Sequence, residues 1–138
     1  MALATVSYAA TAAAVRAVIA AYAQAIDEGR HRDIAGLFCE DGSVDLPTAG
    51  VVIGQEELLD LFSGGARSPE LSRHLVTGTH VTRWSADHAV AISDLAVVGR
   101  AGGVPWGFRA VGRYFDLLHC RDGRWLFHTR TLRFADGA

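Results

Sequence analysis

Four extended segments in the second half of the chain, residues 75–84, 89–98, 106–119 and 125–134, constrain its fold more than any other feature. Between them lie Ser85-Ala86-Asp87-His88, the glycine-rich stretch 99–103 and Arg121-Asp122-Gly123, all suited to tight turns. Strands joined so closely form an antiparallel meander. One face of such a sheet must be covered by something apolar, and only the front of the chain is left to do it.

That front half reads as helices. Val15, Ile19, Tyr22 and Ile26 recur at intervals of three and four residues, which predicts a helix over residues 11–28 stopped by Gly29. A short helix over 32–38, with Ile34, Leu37 and Phe38 inward, is expected next, then a turn at Glu40-Asp41-Gly42. Residues 43–46 and 50–53 read as a hairpin around Pro47, and a third helix follows Gly54 with Leu58, Leu59, Leu61 and Phe62 buried. Gly64-Gly65 ends it, and a polar loop through Ser68-Pro69-Glu70 leads to the strands. The expected fold class is α+β, in a single domain over residues 1–138 without internal repeat or linker.

Half of the residues are hydrophobic, one fifth are charged, and the net charge is −2, so the sequence shows no sign of a nucleic-acid or anionic-membrane surface. The N-terminal segment is alanine-rich but lacks a basic leader region, and Arg16 interrupts the apolar stretch. A cytoplasmic location is the expectation. Cys39 and Cys120 fit no metal-ligand spacing and read as packing residues. The six histidines are scattered, so neither a metal nor a cofactor is expected.

Tyr22 and Asp27 near the end of the first helix, and His74 at the start of the first long strand, supply a phenol, an acid and an imidazole. These are the groups needed to move protons on an organic substrate without a metal. Each also has an ordinary reading. Asp27 could be a solvated acid beside Arg30 or Arg32, His74 a polar strand residue, and Tyr22 a core aromatic. Asp94 lies inside an apolar strand, where a carboxylate is costly unless it is paired or functional. Arg109 or Arg113 on the next strand would pair it.

Taken together, Tyr22-Ala-Gln-Ala-Ile-Asp27, residues 34–42, Ser72-Arg73-His74-Leu75-Val76, Gly112-Arg113-Tyr114-Phe115-Asp116 and Asp122-Gly123-Arg124-Trp125 resemble the SnoaL-like group of the nuclear transport factor 2-like superfamily. Scytalone dehydratase and bile-acid dehydratase relatives belong to that group. The resemblance implies a cone-shaped fold, with a curved sheet around helices and a deep apolar pocket. It puts Asp27 and His74 at the positions of the dehydratase acid–imidazole pair and Tyr22 at that of the pocket tyrosine. Asp94 matches a second acid more loosely. A second strand histidine of the scytalone type is absent, since that stretch reads Leu95-Ala96-Val97-Val98-Gly99, and Ile92 stands where limonene-epoxide-hydrolase relatives carry an arginine.

The resulting expectation is a cofactor-independent dehydratase, isomerase or cyclase acting on a hydrophobic cyclic oxygenated molecule of polyketide or steroid type. Asp27, His74, Tyr22 and Asp94 are its candidate catalytic residues, and Phe62, Trp106 and Tyr114 its candidate substrate-binding residues. The alternative is a non-catalytic binding or assembly module on the same fold. The resemblance also implies a homodimer, for which the arginine-bearing face of residues 109–115 is the candidate interface.

Overall fold

A computed structural model describes residues 6–64 and 71–135, so the loop expected at 68–70 lies outside the described residues. The elements are α1 (Tyr8–Glu28), α2 (His31–Gly36), β1 (Phe38–Leu46), β2 (Gly50–Ile53), α3 (Gln55–Ser63), β3 (Leu71–Trp84), β4 (His88–Arg100), β5 (Gly107–Arg121) and β6 (Arg124–Phe134). The six strands form one curved sheet in the order β2-β1-β6-β5-β4-β3. β3 to β6 are the expected antiparallel meander, whereas β1 runs parallel to β6. The α+β class and helix-backed sheet are as the sequence implied.

Helix α1 is the organising element of the core. The Ser7 hydroxyl accepts the Ala10 N–H at its start, and Gly29 closes it in the left-handed conformation at φ 67°. Val15, Ile19 and Tyr22, the stripe read from periodicity, are all buried against the inner face of the sheet, with Ile26 partly so. With 21 residues at a mean hydropathy of 1.4, α1 is by those measures long and apolar enough to cross a membrane. Its buried stripe gives it the place of a core helix.

Several boundaries differ from the sequence reading: α1 begins at Tyr8 rather than residue 11 and β3 at Leu71 rather than residue 75, and the largest change is at β1. Phe38 is not the end of a helix but the first residue of β1, and Glu40-Asp41-Gly42 is not a turn. The register between β1 and β6 jumps from Phe38↔Phe127 to Ser43↔Thr129, so the polar residues sit in an irregularity within a strand. A side chain at Gly42 would meet the Cys39 carbonyl at 2.9 Å and the Phe127 carbonyl at 3.0 Å, so glycine permits this close approach. The Gln55 amide secures the region by donating to the carbonyls of Ala35, Phe38 and Cys39 at 2.9, 3.0 and 3.2 Å.

The two faces of β5 are likewise not a simple alternation. Tyr114, Asp116 and Leu118 point inward, and Arg113 and Phe115 outward. The two-residue period of a strand would put Phe108 on the Tyr114 face, but it stands 73% exposed and lines an outer groove with Val111, Arg113 and Phe115. The cause is the register shift in which Val97 lies opposite Ala110 but Val98 opposite Phe108, so the β4–β5 ladder steps over one residue of β5 and the alternation reverses.

Candidate active site

Among the described residues strand β3 is a sheet edge, so the N–H groups on its free side face no further strand. The last turn of α1 lies over that edge. There the Asp27 carboxylate accepts the His74 backbone N–H at 3.0 and 3.1 Å and the His74 Nδ1–H at 2.7 Å. One carboxylate thus satisfies an edge amide and fixes the imidazole tautomer. The Asp27 side chain is 9% exposed and that of His74 21%. With Nδ1 engaged, Nε2 is the nitrogen left for a ligand, and among the described residues it has no hydrogen-bond partner.

His74 lines a cavity of about 210 Å³, together with Tyr22, Ile26, Phe62, Leu95, Tyr114 and Leu132. Apolar side chains make most of its wall, as is usual for small-molecule sites. Tyr22 is edge-on to Phe38, Phe62, Tyr114 and Phe127, with ring centroids 5.8 to 6.2 Å away. Neither the Tyr22 nor the Tyr114 hydroxyl bonds to another described residue. Burial raises the pKa of both phenols above the ordinary value, so each stays a neutral donor across the working pH range.

Behind the phenols lies a pair that sequence reasoning passed over. The Arg130 guanidinium sits 3.5 Å from the Tyr114 ring centre, 4.2 Å from that of Tyr22 and 4.6 Å from that of Phe127. Its Nε is 3.2 Å from Asp116 Oδ1, both side chains being fully buried. The contact is an ion pair without hydrogen-bond alignment, so aromatic faces are the cation's other support. Burial pushes the Asp116 carboxyl up to about 6, against the opposing pull of Arg130. Asp116 follows the inward parity of Tyr114 and Leu118 on β5, which was the available signal.

Two expected site residues lie elsewhere. Asp94 belongs to the outward set of β4, because Ala89, Ala91, Ser93 and Leu95 face inward. It accepts from Arg113 Nε at 2.8 Å, with both side chains about half exposed, which is the ordinary pairing the sequence offered. Trp106 precedes β5 in the connecting loop, is 46% exposed and does not line the cavity. Phe62 and Tyr114 do line it. A larger, open groove of about 680 Å³ lies on the outer face and includes Asp94 but no member of the Asp27–His74 pair.

A curved sheet closed by N-terminal helices around a lined cavity defines the nuclear transport factor 2-like class. Residues 7–131 match the SnoaL-like domain, and the chain belongs to that family. Among solved structures it is similar to Rv3472, a protein of unknown function from Mycobacterium tuberculosis. That match has 28% identity over 88% of this chain and 70% of the other, at a TM-score of 0.79. A candidate scytalone dehydratase from Novosphingobium aromaticivorans matches at 23% identity over 92% of this chain and 85% of the other, with TM-score 0.80. ActVI-ORFA from Streptomyces coelicolor matches at 19% identity over 92% and 98%, with TM-score 0.82. At such identities the last two attest to the fold alone. No curated protein matches the sequence.

Proposed function

We propose that the protein is a cofactor-independent acid–base enzyme that removes a proton next to the carbonyl of a hydrophobic cyclic substrate, eliminating water or shifting a double bond. The observation that carries this reading is the Asp27-bound His74 on the wall of an apolar cavity shared with two phenols. The substrate carbonyl accepts from the Tyr22 and Tyr114 hydroxyls. His74 Nε2 takes the α-proton, and the electron pair moves onto the carbonyl oxygen as an enolate, held by the phenols. Asp27 stabilises the imidazolium through Nδ1–H. The enolate then expels a β-hydroxyl, which leaves as water with the proton His74 carried; returned to another carbon, the same proton completes an isomerisation.

A cavity of about 210 Å³ falls below the usual range of ligand sites, roughly 300–1,000 Å³. It favours a one- or two-ring polyketide-type substrate over a four-ring steroid. The likeness to a candidate scytalone dehydratase supports elimination as the first reaction to try. Incubating the protein with small cyclic β-hydroxyketones and following conjugated-enone absorbance tests the reading. Enone formation that depends on His74 supports it, and binding without turnover points to a ligand-holding module. Tyr22→Phe and Tyr114→Phe each remove one enolate donor and are expected to lower kcat by about 10²-fold with little change in KM. Steady-state kinetics on the two variants provide the check.

The outer face of β5 we assign to a second copy of this chain. Phe108, Val111 and Phe115 are 73%, 51% and 43% exposed there, beside the oppositely charged Arg113 and Asp94. A self-complementary patch of this kind suits a two-fold contact. Phe108→Glu is expected to shift sedimentation from dimer to monomer. A monomer for the unaltered chain at high concentration would contradict the assignment.

A further inference from the structure

A row of metal-binding side chains crosses the sheet away from the cavity: Cys39 on β1, His128 on β6, His119 on β5 and His88 on β4, strands that are neighbours in that order. Spacing in the sequence gives no hint of it, because the members come from four separate strands. Ligand atoms of Cys39, His119 and His128 all lie within 4.8 Å of one another. The irregularities of the sheet bring them together. His128 has no partner residue where the β5–β6 register jumps between Leu117 and Leu118, and Cys39 sits where the β1–β6 register jumps after Phe38. Bulges re-aim side chains in this way, and Gly42 allows the two backbones to close up.

From this cluster we infer a binding site for a zinc-like divalent transition metal, held by the Cys39 sulfur and the imidazoles of His119 and His128. One soft sulfur and two imidazoles form a donor set that suits Zn²⁺ in tetrahedral coordination. A separate observation points the same way. His128 Nδ1 is buried and, among the described residues, has no hydrogen-bond partner, which is costly for a ring nitrogen unless something else engages it. Asp41 Oδ1, 3.8 Å from that nitrogen, supplies a fourth ligand and a second negative charge once the thiol has released its proton to solvent.

The rings of His119 and His128 are stacked, with centroids 4.2 Å apart and planes within 8°, so one must turn about its Cβ–Cγ bond to converge on the ion. Arg121 now donates to His119 Nδ1 at 3.1 Å and lies 3.6 Å from Asp41 Oδ1. It is half exposed and free to withdraw as the imidazole turns and the carboxylate engages the metal. His119 lies five residues beyond Tyr114 on β5, roughly 17 Å along the strand. The site is therefore separate from the Asp27–His74 pair, and its test is independent of that chemistry.

The test is a Co²⁺ titration of the chelator-stripped full chain under reducing conditions. One equivalent is expected to produce a thiolate-to-cobalt charge-transfer band in the near ultraviolet, and one equivalent of Zn²⁺ to abolish it. Cys39→Ser and His128→Gln should each lose the band, whereas Cys120→Ser keeps it. Because Cys39 and the His128 nitrogen are buried, far-ultraviolet circular dichroism accompanies each variant. The partly exposed His119→Gln gives an independent reading, with a loss of Zn²⁺ affinity of about tenfold or more. Absence of the band in the unaltered protein, or a band that survives Cys39→Ser, overturns the inference.

Discussion

His74→Gln is expected to lower kcat/KM for an enolisable cyclic ketone by about 10²–10⁴-fold, the usual loss on removing a general acid–base group. Glutamine keeps a polar side chain of similar reach and leaves the edge N–H of residue 74 free to bond Asp27, so the fold and ligand affinity should change little. Asp27→Asn acts on the same reaction differently. The imidazole remains, but an amide nitrogen facing Nδ1 favours the wrong tautomer and cannot stabilise the imidazolium, so roughly 10²-fold or more is lost. Combining both changes should cost scarcely more than His74→Gln alone, because the two residues work as a unit. Kinetics on the two single variants and the double variant, with a ligand-affinity measurement on each, checks this. Additive losses would mean that Asp27 acts through something other than His74.

Arg130→Met carries the largest expected effect on stability, about 3–5 kcal/mol at neutral pH, because it strands the Asp116 carboxylate in the core without its cation. The pH dependence follows from linkage. The folded-state pKa of Asp116 is raised from 3.8 to about 6, so the folded chain holds its proton more tightly than the unfolded chain. That contribution to stability is full below about pH 4 and is lost as the pH rises to about 6. Removing Arg130 takes away the one opposing charge and extends the falling region upward. The deficit of Arg130→Met should therefore shrink on acidification towards pH 5, where Asp116 folds as the neutral acid. Adding Asp116→Leu should recover most of the loss at pH 7, since a buried pair replaced as a whole is often neutral. Urea denaturation of the single and double variants at both pH values measures each of these. A deficit that grew on acidification would contradict the burial-raised carboxyl.

Where the sequence was legible, strong periodicity carried the reading. The α1 stripe, the three helices and the four long strands all follow from apolar spacing and turn residues. Asp27 and His74 were brought together by resemblance, but the physical reason needed the sheet order, because only an edge strand leaves the His74 N–H for a carboxylate to take. What failed did so at irregularities. Gly42 looked like a turn and is a close approach inside a strand, and the shift at Val97–Val98 moved Phe108 to the outer face. Asp94, a loose match to a second acid, and the aromatic Trp106 lie outside the cavity because strand parity turns the first outward and the second precedes β5 in a loop. Arg130 and the Cys39 cluster depend on neighbours from other strands, which spacing along one chain cannot reveal.

The central claim is that His74 takes a proton from carbon inside the cavity. The most direct measurement of it is hydrogen–deuterium exchange at the α-carbon of a small cyclic ketone in D₂O, followed by proton NMR with the unaltered protein and with His74→Gln. Exchange requires no correct leaving group, only a bound carbonyl and a base beside it. Catalysed loss of the α-proton signal in the unaltered protein, reduced to the uncatalysed rate in the variant, is the predicted result. Exchange that persists unchanged in His74→Gln, or ketones that bind in the cavity without any catalysed exchange, would contradict the acid–base reading and leave a binding module in its place.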